Sequence, residues 1–153
     1  MFQGRLEGIA IRTKKSGAIQ IVENAIAEAE RGLLGDYVQA RLAPSARNEP
    51  DKQITLIEAE ALEAVQSEKG YSISHQESRR NLLTRGVPLN HLVGRQFRVG
   101  SLLLEGMELC EPCKHLEKLT GKLLVSHFLH RCGLRARIIE GGSLKVGDSI
   151  AFA

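Results

Sequence analysis

Polar and apolar positions alternate over residues 5–13, Arg-Leu-Glu-Gly-Ile-Ala-Ile-Arg-Thr, the period of a half-buried strand. Lys14-Lys15-Ser16-Gly17 reads as a turn. Beyond it Ile19, Val22, Ile26 and Ala29 recur at helical spacing, with Glu23, Glu28, Glu30 and Arg31 on other faces, so the pattern predicts an amphipathic helix over 18–31. Gly32 and Gly35 flank a tight segment ending in Asp36, and residues 43–51 hold two of the four prolines and read as a loop. A short strand follows over 53–57 and a helix over 58–67, with Ala61, Leu62 and Val65 inward.

The second half is punctuated by glycine. Asn81-Leu82-Leu83-Thr84 reads as a brief strand before the turn at Arg85-Gly86-Val87-Pro88, and residues 96–99 and 102–109 are strands broken apart by Gly100. Helical patterns occupy 113–120 and 122–130. A strand over 132–140 is followed by a turn at Gly141-Gly142 and a last strand over 149–152. Many short strands with glycine turns and a few helices in the connections predict a mainly β fold, a largely antiparallel barrel with peripheral helices. A doubly wound sheet would need regular strand–helix alternation, which is absent.

Composition narrows the class. A chain of 153 residues fits a single domain over 1–153. It can bury roughly 68–70% of its unfolded surface, enough to fold without disulfides. No apolar run approaches the ~20 residues of a membrane helix. The N-terminus meets charge at once, and the three cysteines make no secreted disulfide framework, so the expected location is cytoplasmic with reduced thiols. The formal net charge is only +3, but no acidic residue occurs over 78–104, where Arg79, Arg80, Arg85, Arg95 and Arg98 lie. Such a stretch is either a solvated basic face or a site for phosphate or another anion, which arginine meets with a planar fork of donors. Long nucleic acid fits less well, since the chain has no Trp, few aromatics and none of the usual reader motifs.

The candidate chemistry centres on Cys110-Glu111-Pro112-Cys113, where an apolar strand runs into a helical pattern. With Glu111 as the cap, Pro112 takes the first helical position and Cys113 the first turn, beside Lys114 and His115, a setting that favours thiolate. A thiolate is a nucleophile, a sulfur carrier or a metal ligand. Cys110 reads as a supporting residue and Cys132 as core. A thioredoxin-type redox site is disfavoured, because no proline follows Pro112 and no βαβ unit precedes the motif. A structural zinc site remains open: Cys110, Cys113, His115, His127, His130 and Cys132 offer ligands, but His127 and His130 stand closer than finger spacing requires. Arg79, Arg80 and Asn81 form a polar cluster in which the guanidiniums could hold phosphate or carboxylate and Asn81 could fix backbone geometry. His75 and His91 are expected at the surface, and Asp148 in a turn.

These segments occur in a recognisable order. Gly35-Asp36, residues 51–58, Ser78-Arg79-Arg80-Asn81-Leu82, Gly86-Val87-Pro88-Leu89, residues 92–100, the Cys-Glu-Pro-Cys motif and Gly142-Ser143-Leu144-Lys145-Val146-Gly147-Asp148 together resemble a MOSC domain, the domain at the C-terminus of molybdenum cofactor sulfurases. The resemblance implies a β-barrel like the pyruvate kinase barrel domain and a molybdopterin-type molybdenum cofactor. It maps the family cysteine onto Cys113, as a molybdenum ligand in a reductase of N-oxygenated substrates or as a sulfur carrier, and the Arg-Asn motif onto Arg80 and Asn81, with Arg79 alongside. Arg95 and Lys114 are further candidates for holding the cofactor. The chain lacks the extra N-terminal barrel of amidoxime-reducing relatives and the pyridoxal-phosphate-dependent desulfurase domain of the sulfurases. A persulfide would therefore come from a separate cysteine desulfurase, and electrons from a redox partner protein. Arg79 or Arg80 is expected to share one pocket with Cys113.

Overall fold

In β1 (Gln3–Arg12) Leu6 and Ile9 of the alternating pattern are fully buried, and Ile11 packs against the core partly buried. The computed structural model describes residues 2–70, 72–111, 128 and 130–153. After β1 come β2 (Ile19–Val22), β3 (Asn24–Glu28), β4 (Gly32–Leu33), helix α1 (Tyr37–Ala40), β5 (Ile54–Glu58), α2 (Ala59–Lys69) and α3 (His75–Ser78). The chain continues with β6 (Leu82–Arg85), β7 (Gln96–Val99), β8 (Leu102–Leu109), β9 (Leu134–Glu140), β10 (Gly142–Lys145) and β11 (Ser149–Phe152). No helix among the described residues is long and apolar enough to cross a membrane.

Seven strands close into a barrel in the order β1-β11-β7-β8-β9-β5-β6 and back to β1. Every pairing in the ring is antiparallel except β5 with β6. A parallel pair needs a crossover, and α2 and α3 supply it. Strand periodicity decides what fills the interior. Leu134, Ala136 and Ile138 of β9, Leu102 and Leu104 of β8, and Phe97 and Val99 of β7 all point inward and are buried. A second apolar cluster forms outside the ring, where Leu62 and Val65 of α2 meet Ile57, Ile73, Phe128 and Cys132.

The 18–31 segment is not the amphipathic helix its spacing predicts. Ile19–Val22 pairs with the C-terminal half of β1, and Asn24–Glu28 pairs with β10 in a separate small sheet of order β10-β3-β4. The segment is rich in β-branched residues, which suit a pleated surface. In β3 the side chains alternate, with Ala27 buried and Ile26 exposed, a period the helical reading overlooked. The Gly141-Gly142 turn runs straight into β10. The expected helix over 58–67 is present as α2, ended by Gly70 in the left-handed conformation (φ 63°). The helical patterns over 113–130 lie almost wholly outside the described residues.

One charge is placed against its own preference. Burial pushes the Glu58 carboxyl, where β5 passes into α2, above the ordinary carboxylate range; the Glu60 carboxylate adds to this and hydrogen bonding at Leu89 opposes it. A carboxyl raised in the folded state favours folding below its unfolded pKa and loses that contribution as pH rises through its folded value. Glu58→Gln is therefore expected to raise the melting temperature near neutral pH and to give no gain below the ordinary carboxyl value of 4.5. Thermal melts of both proteins across that range check this, and identical melting temperatures at neutral pH would contradict it.

Candidate functional site

Strand pairing and register bring separate chain segments side by side. β8 and β9 are antiparallel with Leu109 opposite Leu134, so β8 ends where β9 begins. Leu134 also faces Leu56 of β5, and β5 runs parallel to β6. β1 is antiparallel to β6 with Ile9 opposite Leu82, so its last residues lie beside the entry to β6. A cleft of about 530 Å³ opens there, lined by Ala10–Arg12 of β1, Asp36–Val38 at α1, Gln53–Thr55 of β5, Arg79–Asn81 before β6, and Glu111 just past β8. That volume suits a small-molecule ligand.

Asn81 knots these segments together. Its side-chain oxygen accepts from the Thr55 N–H (3.0 Å) and the Thr55 hydroxyl (3.2 Å). Its amide donates to the Ala10 carbonyl (3.1 Å) and to Asp36 Oδ1 (3.4 Å), and its own N–H donates to Thr55 Oγ1 (3.0 Å). Asp36, buried at the floor, also accepts from the Arg12 N–H (3.0 Å) and caps α1 through the Val38 N–H (3.3 Å). One amide thus ties β1, β5, α1 and the entry to β6, the role of fixing backbone geometry expected for it.

The two arginines before Asn81 are aimed by their neighbours. His75 fits because β1 carries glycine at position 8, where a Cβ would come within 2.9 Å of His75 Nδ1. Its Nε2 lies 2.9 Å from the Arg80 carbonyl, which can only accept, so Nε2 carries the proton. Burial lowers the His75 pKa, opposed by its backbone hydrogen bonds, and the ring is a half-buried structural residue rather than the surface histidine expected. His91 is exposed. Arg79 caps α3 with φ 57°, a left-handed conformation uncommon for a side-chain-bearing residue. Its Nη2 donates to the Gly17 carbonyl (2.8 Å) of the β1–β2 turn, while its buried Nε has no hydrogen-bond partner. Burial and the nearby positive charge of Arg12 lower the Arg79 pKa. Arg80 donates from Nε to the Cys132 carbonyl (2.9 Å) and from Nη2 to the Cys132 sulfur (3.1 Å).

Seven basic residues line the cleft against two acidic ones. Besides Arg79 and Arg80 they are Arg12, Lys15, Arg41, Lys52 and Arg135. Lys52 is paired with Glu49 and Arg135 with Glu108. Among the described residues, Arg12, Lys15, Arg41 and Arg79 have no acidic partner. The arrangement is chemically an anion receptor, with guanidinium forks suited to phosphate. The five cations beyond the Arg-Arg-Asn cluster carry no joint signal in the sequence because they come from four separate parts of the chain.

The remaining candidates divide. Cys110 is buried, and burial raises its pKa despite Arg80 and Arg135, so it stays a thiol; its N–H donates to the Gly133 carbonyl (2.8 Å). Cys132 is buried in the second cluster and also touches Arg80. Arg95 does not line the cleft: its guanidinium stacks on the Phe152 ring, 5.0 Å from the centroid. Cys113 and Lys114 lie outside the described residues, as do His115 and His127 of the zinc reading. Of that set, His130 pairs with Glu111 (3.2 Å), and no three His, Cys, Asp or Glu among the described residues converge as metal ligands.

Residues 43–151 match the family model described as the MOSC domain. The chain belongs to the MOSC domain family. Membership ties it to molybdenum-cofactor-related function in general. Among solved structures this MOSC chain is similar to the YuaD protein from Bacillus subtilis, at 18% identity with a TM-score of 0.80, covering 98% of this chain and 97% of that one. It is also similar to YiiM from Geobacillus stearothermophilus (14% identity, TM-score 0.72, 98% and 75% coverage) and to YiiM from Escherichia coli (17%, 0.69, 97% and 69%). At such identities the likeness establishes the fold alone. No curated protein matches the sequence.

The knot makes a direct test. Asn81→Leu removes both halves of the amide and strands the Thr55 N–H and Ala10 carbonyl, so it should cost about 2–4 kcal/mol. Urea unfolding of the two proteins measures it, and a loss below about 0.5 kcal/mol would mean that the amide does not hold the floor.

Proposed function

We propose that this MOSC protein holds a molybdopterin-type molybdenum cofactor in the cationic cleft, with Cys113 as the thiolate ligand of the metal. The observation that carries the reading is the excess of basic side chains over acidic ones in one cleft that Glu111 of the Cys-Glu-Pro-Cys motif also lines. The donor set fits the phosphate end of such a cofactor. Guanidinium forks match phosphate oxygens, and the buried Arg79 Nε–H is a donor that lacks a partner. Asn81 and Asp36 hold the backbone under those donors rather than touching the ligand's charge. Glu111, one residue short of Pro112 and two short of Cys113 in sequence, lines the same cleft. A soft thiolate suits a sulfur-rich metal centre.

When bound, the cofactor would supply the redox chemistry for reducing an N-oxygenated substrate, with electrons from a separate partner protein. The protein's own contribution is positional. Arg79 and Arg80 hold the anionic end, the His75–Arg80 contact sets their backbone, and buried Cys110 supports the turn without competing as a thiolate. Lys114 would add positive charge beside Cys113. Arg95, stacked on Phe152, takes no part in this reading.

The reading is tested in protein purified from a host that makes the cofactor. Near-equimolar molybdenum by elemental analysis is expected, lost in Cys113→Ser. It should fall at least about tenfold in Arg80→Lys, since one ammonium cannot both keep the Cys132 contacts and turn a donor to the cleft. Cys110→Ser should keep most of it. Protein free of molybdenum that takes a persulfide on Cys113 from a cysteine desulfurase would replace this reading with that of a sulfur carrier. Zinc at one per chain, held through Cys110 and Cys113, would replace both with a structural metal site.

A further inference from the structure

We infer that the cleft contains a second anion subsite, formed by Arg12, Lys15 and Arg41 at its outer lip, so that its ligand carries two linked phosphate groups rather than one. The inference uses the cationic cleft of the proposed function but does not depend on molybdenum.

The lip and the floor are built from different parts of the chain. Arg79 and Arg80 stand at the entry to β6. Arg12 and Lys15 belong to the end of β1 and the turn beyond it, and Arg41 caps the C-terminal end of α1. Arg12 is held in place: its Nη1 donates to the Lys15 carbonyl (2.7 Å), and its guanidinium lies over the Tyr37 ring, 5.7 Å from the centroid. Arg41 makes a long hydrogen bond to Asn48 (3.4 Å). These contacts orient the lip cations without neutralising them. The buried carboxylate nearby, Asp36, is occupied by the Arg12 and Val38 N–H groups and by Asn81.

Two features point to simultaneous occupation of lip and floor. Burial and, after it, the charge of Arg12 lower the Arg79 pKa, so floor and lip repel each other, and an anion between them removes that repulsion. The cations also fall in two groups, Arg79 and Arg80 before β6 and Arg12, Lys15 and Arg41 at the end of β1 and of α1, and a diphosphate offers one phosphoryl group to each. The shared chemistry is a diphosphate, met either as the free ion or as the ester of a larger molecule.

Calorimetric titration at constant ionic strength tests this on the protein without cofactor, using inorganic phosphate, pyrophosphate and a nucleoside diphosphate. Pyrophosphate or the nucleoside diphosphate is expected to bind at least about tenfold more tightly than phosphate, the factor of one further charge-assisted contact. The exposed pair Lys15→Ala/Arg41→Ala should erase that advantage by weakening the diphosphates more than phosphate, whereas Arg79→Ala should weaken all three. Tighter binding of the nucleoside diphosphate identifies an ester, and tighter binding of pyrophosphate the free ion. Equal affinity for phosphate and both diphosphates in the unaltered protein would overturn the second subsite. So would an advantage that survives the double substitution. Either failure leaves the molybdenum result standing, and a protein free of molybdenum leaves this result standing.

Discussion

The hydrogen bonds of the Asn81 side chain are the constraint on which the site depends. A barrel closes through backbone pairing and buries leucines and isoleucines with little regard for what happens at its rim. The rim here is defined because one amide satisfies Thr55 on β5, the Ala10 carbonyl on β1 and Asp36 ahead of α1. Asp36 has other donors, but the Thr55 N–H and the Ala10 carbonyl would lose this partner, and an unsatisfied buried donor or acceptor costs about 1–3 kcal/mol. Asparagine meets the need because it carries a donor and an acceptor on one short, stiff side chain. With the knot tied, Arg79 and Arg80 can go only one way, and the Asp36 carboxylate is consumed inside the floor.

The electrostatics follow from that consumption. Four basic side chains around the cleft have no acidic partner among the described residues, although carboxylates are available elsewhere on the surface. Glu7 and Glu63 both serve Arg85, and Glu30 serves Arg137; each of these carboxylates is held below its ordinary range by its arginine. Charge pairing is thus the rule outside the cleft and the exception within it. Repulsion between Arg12 and Arg79 and the strained backbone of Arg79 work against folding, and a bound anion turns the first of these into attraction.

Much of the barrel was legible in sequence because strand alternation and glycine breaks are local signals. Residues 96–99 and 102–109 carry them cleanly, and both are strands of the ring. The segment 18–31 misled because Ile19, Val22, Ile26 and Ala29 satisfy a helical period by chance, while the pairing that makes it two strands comes from β1 and from β10, more than a hundred residues away. The site divides in the same way. Arg79, Arg80 and Asn81 stood out as adjacent residues in a stretch free of acids. Arg95 stood out for the same reason, yet it stacks on Phe152, because an acid-free stretch says nothing about where each side chain points. Arg12, Lys15, Arg41, Lys52 and Arg135 carried no signal, since only the closed barrel brings them to one place.

The central claim is that this unpaired positive charge is a specific receptor for phosphate and not a generally basic rim. Thermal melts in phosphate and in chloride at equal ionic strength and pH separate the two most directly. A receptor raises the melting temperature with phosphate concentration, by the stabilisation that ligand binding gives the folded state, and Arg79→Ala abolishes the rise. A basic rim that is merely screened responds equally to both salts, with or without Arg79, and that result would contradict the claim.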